Sequence, residues 1–167
     1  FPIASIFHLP KNTYFYSQMK NYLKYFKLVR LYVKYRWAIE IADLELLLFL
    51  HPEKVFNARR LKLAQIGMKW DKKRIESLIS RGLIGVVREK PSKLYSLTPL
   101  ANRIINGVYR KLNGEEGVPD TRWSNPMYRG DAPYAQRNMR LPAEELNESI
   151  KQRRRRALEL PSIDDPQ

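Results

Sequence analysis

Between Val55 and Asn113 the apolar positions change from helical spacing to alternation and back again. Ala58–Gln65 predicts a short helix, and Ile66-Gly67-Met68 predicts a turn. Ile75, Leu78 and Ile79 stand at i, i+3 and i+4, which predicts a second helix over Trp70–Arg81. Gly82 falls just past its end, where a left-handed residue closes a helix at least cost. Leu83–Val87 and Leu94–Leu97 predict two strands, and the polar, Pro-containing Arg88–Lys93 predicts the hairpin loop between them. Thr98-Pro99 then supplies an N-cap followed by Pro at the first helical position. Leu100, Ile104, Ile105, Val108 and Leu112 carry that helix to Asn113-Gly114.

Upstream, a helix is expected from Ser17 to about Tyr35. Met19, Tyr22, Leu23, Phe26, Val29, Leu31 and Val33 are its apolar set. Lys20, Lys24, Lys27 and Lys34 fall on one helical stripe with Arg30 nearby, either a solvated face or one that lies near phosphates. Trp37–Ile41 reads as a break. Asp43–Leu50 is a helix apolar nearly all round, so a core element, ended by His51-Pro52 because the residue before Pro is pushed out of helical geometry. Residues 1–16, with Pro2, Pro10 and several aromatics, read as an N-terminal arm.

Helix, turn, helix, hairpin and helix is the order of a winged helix-turn-helix. The runs Ser80-Arg81-Gly82-Leu83-Ile84 and Lys93-Leu94-Tyr95-Ser96-Leu97-Thr98-Pro99-Leu100 resemble the MarR family of winged-helix transcriptional regulators over about residues 17–113. The resemblance implies a mainly α fold with a small β-hairpin. It also implies binding of nucleic acid, with double-stranded DNA the first choice, and a homo-oligomer built on the first and last helices. The second helix of such a motif presents its N-terminal half to the major groove. That assigns Lys69, Lys72, Lys73, Arg74 and Ser77 to the groove, and Arg88, Lys90 and Lys93 of the wing to the backbone. The sequence departs from the family at Asp71 and Arg74, where apolar residues are usual, and in its wing, which is shorter and lacks an acidic-arginine signature.

Charge placement sharpens this picture. Residues 1–113 hold 22 Lys/Arg against 7 Asp/Glu, whereas residues 114–167 hold 9 against 10. The basic excess therefore belongs to the helix-and-hairpin region, as a nucleic-acid footprint requires. From Gly114 onward, turn dipeptides punctuate a segment without periodicity, which cannot bury enough surface to fold alone. Residues 114–167 accordingly read as an extended C-terminal tail, with Trp123, Tyr128 and Tyr134 as anchors on a protein partner. A helix is expected at about 142–159, with Leu146 and Ile150 as its docking stripe. Lys151–Arg156 suits nucleic acid, a localisation signal or simply a solvated helix end.

Catalytic and metal chemistry finds no footing. His8 and His51 lack neighbours at metal-ligand spacing, the glycines form no phosphate-cradling loop, and no nucleophile has an activating partner. With no Cys there are no disulfides or thiolate sites, and no apolar run approaches the ~20 residues of a membrane span. The apolar N-terminus lacks the basic flank of a signal peptide. The chain thus reads as a non-enzymatic protein without cofactor or metal, intracellular (cytoplasmic or nucleoid-associated), that binds nucleic acid. The other reading is a structural component of a virion or ribonucleoprotein, which packs through a winged-helix core and wraps neighbours with its termini.

Overall fold

The computed structural model of the chain describes residues 22–64 and 72–159. Lys69, Asp71, the expected turn at 66–68, the N-terminal arm and the start of the first helix lie outside them. Helix α1 (Tyr22–Trp37) buries Leu28, Val29, Tyr32 and Val33 at helical spacing. Ala38 then turns the chain with φ 53°, a left-handed conformation that costs an L-residue about 1 kcal/mol. Helix α2 (Ile41–Leu50) follows and buries Asp43, Leu44, Leu46, Leu47 and Leu50, while Phe49 stays 42% exposed. It is a core helix with one wet side.

The chain next forms β1 (Phe56–Asn57), α3 (Ala58–Ala64), α4 (Lys72–Ser80), β2 (Ile84–Arg88), β3 (Leu94–Leu97) and α5 (Pro99–Leu112). The strands make one antiparallel sheet in the order β1-β3-β2. β1 lies outside the sequence expectation because two residues are too few to show alternation. It pairs Phe56 with Tyr95, and their rings stack at 6.2 Å. Asn57 Oδ1 then accepts from the Arg60 amide at 3.0 Å, which caps α3.

Two caps set the corner where α4, the hairpin and α5 meet. Gly82, at φ 68°, donates to Ile79 O, and Leu83 donates to Leu78 O, each at 2.9 Å. This pair of bonds is a Schellman motif, and the left-handed Gly82 at its centre turns α4 sharply into β2. Thr98 Oγ1 accepts from the Ala101 amide at 3.2 Å and donates to Gly82 O at 2.6 Å. One hydroxyl therefore caps the start of α5 and ties it to the end of α4. Along α5, Ala101, Ile104, Ile105 and Val108 face the core.

The expected extended tail is not extended over its described part. After Gly114 the chain makes a 3-10 turn (Pro126–Tyr128), α6 (Tyr134–Arg137) and α7 (Arg140–Glu159). Val118, Met127, Ala143, Leu146 and Ile150 join the same hydrophobic cluster as α1 and α5. Leu146 and Ile150, expected to dock on a partner, are instead 1% and 4% exposed within their own chain. Polar side chains hold the irregular backbone between these apolar anchors. Asn147 accepts from Val118 N at 2.9 Å and donates to Val118 O at 2.8 Å. Buried Asn125 accepts from Met127 N at 3.1 Å and donates to Pro119 O at 2.8 Å. Arg140 donates to Met127 O at 2.9 Å and Arg129 O at 3.0 Å. The segment lacks a core of its own and completes that of the helices before it.

Candidate nucleic-acid interface

α4 is amphipathic in the sense the sequence pattern requires. Ile75 and Leu78 are buried, and Lys72, Lys73, Glu76 and Ser77 are exposed on the other side. The hairpin that follows exposes Arg88, Glu89, Lys90 and Lys93. The Schellman turn and Thr98 join the C-terminal end of α4 to the base of the hairpin. Among the described residues, α4 and the hairpin together expose the cations Lys72, Lys73, Arg88, Lys90 and Lys93 and the acids Glu76 and Glu89. Lys72 stands 3.5 Å from Glu76 and Lys93 stands 3.6 Å from Glu89, both pairs exposed. Exposed i,i+4 pairs are worth about 0.3–0.5 kcal/mol, so a phosphate can displace either carboxylate at small cost.

Arg74 departs from its expected role in the groove. Its Nε stands 3.1 Å from Asp43 Oδ1, and its side chain is only 28% exposed. Charge pairing is achieved, but Oδ1 keeps no aligned hydrogen bond. Arg81 brings Nη1 to 3.9 Å from Asp43 Oδ2, while its Nη2 donates to Trp37 O at 3.2 Å and Ala38 O at 2.5 Å. Burial pushes the Asp43 carboxyl above its ordinary range, even though both arginines pull it down. The trio joins the first turn of α2, both ends of α4 and the last carbonyls of α1. It positions α4 and leaves Lys72, Lys73 and Ser77 to face outward.

Nothing in the sequence pattern assigns Asp43 or Arg81 to the site. The signal was present for Asp43, one of two acids in a helix otherwise apolar throughout. Arg81 stands in the Ser80–Ile84 run, but its role needs the Trp37 and Ala38 carbonyls beside it.

The cationic stripe on α1 is partly neutralised within the chain. Lys24 makes a short ion pair with Glu145 of α7, and Lys34 meets Glu40 at 2.9 Å. Among the aromatics expected as anchors, Trp123 and Tyr134 are 78% and 72% exposed, and Arg122 stacks on the Trp123 ring at 4.7 Å. Tyr128 instead packs against the core, its hydroxyl buried without a hydrogen bond and burial raising its pKa.

A cleft of about 160 Å³ lies between α1 and α5, lined among others by Tyr32, Trp37, Arg103, Gly107, Lys111 and Glu116. Its buried cation is already matched, with Lys111 Nζ 2.5 Å from Glu116 Oε1 and 5.4 Å from the Tyr32 ring. The volume falls below the ~300 Å³ of small-molecule sites. Among the described residues no His, Cys, Asp and Glu gather as a metal site, and no helix is long and apolar enough to cross a membrane. No protein-family model, characterised protein or solved structure matches the chain.

Proposed function

We propose that the chain is a nucleic-acid-binding winged-helix protein that offers α4 to the major groove of a DNA duplex and its β2-β3 hairpin to the flanking backbone. The observation that carries this reading is the exposure of Lys72, Lys73 and Ser77 on α4 together with that of Arg88, Lys90 and Lys93 on the hairpin joined to its end. The Asp43 ion-pair cluster and two helix caps hold α4 in place. The helix-helix-hairpin-helix order, the three-stranded sheet and the resemblance to MarR-type regulators support it further. Phosphate contacts by lysine and arginine position such a protein, and Ser77 adapts to donor or acceptor base edges. The competing reading, a packing module whose tail wraps neighbours, loses its main support, since residues 114–159 pack on their own domain. It keeps Trp123 and Tyr134 as exposed anchors for a protein partner.

The test is a titration of a labelled duplex at several salt concentrations. The wild type is expected to bind with a steep salt dependence, and Lys72→Ala with Lys73→Ala to weaken binding. Lys90→Ala with Lys93→Ala removes two phosphate contacts and lowers the slope of log K on log salt by about 1.8, at ~0.9 per contact. Absence of duplex binding at low salt, or lysine variants indistinguishable from the wild type, refutes the reading.

A further inference from the structure

We infer that the C-terminal half of α7 is a second phosphate-binding surface, at the end of the molecule opposite α4, so that one chain holds two nucleic-acid segments. This goes beyond the proposed function and rests on it only for the first segment.

The position follows from contacts at both ends of the core helices. The first turn of α2 sets Asp43 beside Arg74 of α4 and Arg81 just past it, and His51 at the other end of α2 has its ring 5.6 Å from that of Tyr109 near the end of α5. α5 begins at Thr98 on Gly82 and runs for 14 residues, or ~21 Å, away from α4. The arginine run is attached at that far end. Arg154 Nη2 donates to Glu115 O at 2.8 Å, and the Arg153 guanidinium lies against Gly114. The arginine run therefore stands about one length of α5 from the end of α4.

The chemistry selects the ligand. Residues 151–158 are all exposed, and Lys151 with Arg153, Arg154, Arg155 and Arg156 puts five cations into six positions. Among the described residues no carboxylate lies within ion-pairing distance of Lys151, Arg153, Arg155 or Arg156. Four successive arginines at ~100° steps surround the helix with guanidinium groups. A stripe meant for one face of a neighbouring protein would leave the other faces neutral. Like charges at i,i+3 repel, and the C-terminal end of the helix dipole offsets only part of that. Guanidinium is also the side chain suited to bidentate contact with phosphate. Apart from Ala157 and Leu158 the exposed run has no apolar residue with which to enter a lipid surface.

The experiment uses the full chain and two populations of short duplex, one carrying a donor fluorophore and one an acceptor. The wild type is expected to bring the two together, giving energy transfer on mixing. Arg153→Gln, Arg155→Gln and Arg156→Gln together keep the Arg154 anchor and should abolish transfer. Single-duplex binding at α4 should persist with its salt slope unchanged, because the lost arginines contact the other segment. The corresponding Arg→Lys variant should retain transfer, which separates lost charge from a disturbed helix. Undiminished transfer in the Gln variant overturns the inference. So does loss of polyglutamate binding with duplex binding unchanged, which would assign the surface to an acidic protein. Failure of the α4 reading is told apart because the wild type then gives no transfer, its duplex affinity is unaltered by Lys72→Ala with Lys73→Ala, and that affinity is lost in the Gln variant.

Discussion

Replacing Arg81 is expected to unfasten the corner on which α4 sits, and the structure sets the size of the effect. The guanidinium makes two hydrogen bonds from Nη2, to Trp37 O and Ala38 O, and stands 3.9 Å from Asp43 with Nη1. A hydrogen bond to a charged group contributes about 1.5–3 kcal/mol net. Here a single nitrogen serves both acceptors, one at 3.2 Å, so the two bonds together do not reach twice that figure. The 31% exposure of the side chain lets water replace part of what is lost, and the ion pair to Asp43 is loose. Arg81→Ala should therefore cost about 2 kcal/mol, equivalent to roughly 4–8 °C in Tm for a chain of this size. Arg81→Lys keeps a charge near Asp43 but cannot span two carbonyls and a carboxylate from one planar group. It should recover less than half of the loss. Urea denaturation followed by tryptophan fluorescence reads the difference, since Trp37 lies at the site. A cycle with Asp43→Asn should show coupling of about 0.5–1 kcal/mol, in the range of contacting residues. A lysine variant as stable as the wild type would refute the argument, because charge alone would then hold the corner.

Three other outcomes follow from the same geometry. Met127 is fully buried in the core shared with α1 and α5, so Met127→Ala should lower stability by about 2–5 kcal/mol in one cooperative transition. A separate early transition for residues 114–159 would contradict that. Burial raises the Glu116 carboxyl, but hydrogen bonds from Lys111 and Arg110 outweigh it and hold the pKa below its ordinary value near 4.5. Its stabilising effect is complete above that value and is lost as pH falls through the lower folded value. Glu116→Gln should therefore lower the urea midpoint at pH 7 and make the fall towards pH 3 shallower. Asp43 has the opposite sign, since its folded pKa lies above the ordinary 3.8. What it contributes is present below that value and lost as pH rises through the folded one, so Asp43→Asn should cost less at pH 7 than its two arginine neighbours suggest. A larger cost at pH 7 than at pH 4 would count against this sign.

What was legible in the sequence divides by the kind of signal. Gly82, Thr98 and Pro99 predict their caps because a cap depends on a few neighbouring residues, and the structure shows each in place. α4 and α5 were legible from the spacing of Ile75, Leu78, Ile104, Ile105 and Val108. The folded state of residues 114–159 was not, because Val118, Met127, Ala143, Leu146 and Ile150 follow no single period. They are spaced by the surface of α1 and α5 on which they land, and local pattern holds no record of that surface. Leu146 and Ile150 are legible as a docking stripe, but the surface that receives them belongs to their own chain rather than to a partner.

The same distinction explains Arg74. As a cation in the first half of α4 it is indistinguishable in sequence from Lys72 and Lys73, and helical spacing cannot say that Asp43 comes to lie beside it. A buried carboxylate in a leucine-rich helix has to be matched, because an unpaired charge there costs several kcal/mol. The nearest cations that can match it stand on α4. Packing α2 against α4 therefore withdraws one of three successive cations from any ligand and in doing so fixes the rotation of the helix about its axis. With Arg74 turned inward, Ile75 and Leu78 point to the core, and Lys73 and Ser77, one helical turn apart, both face solvent. Loss of the Arg74–Asp43 pair would thus alter α4 as the proposed binding surface even if Lys72 and Lys73 were untouched. Duplex affinity in Asp43→Asn should fall further than stability does, because a rotated helix keeps its apolar contacts in part but no longer aims its lysines.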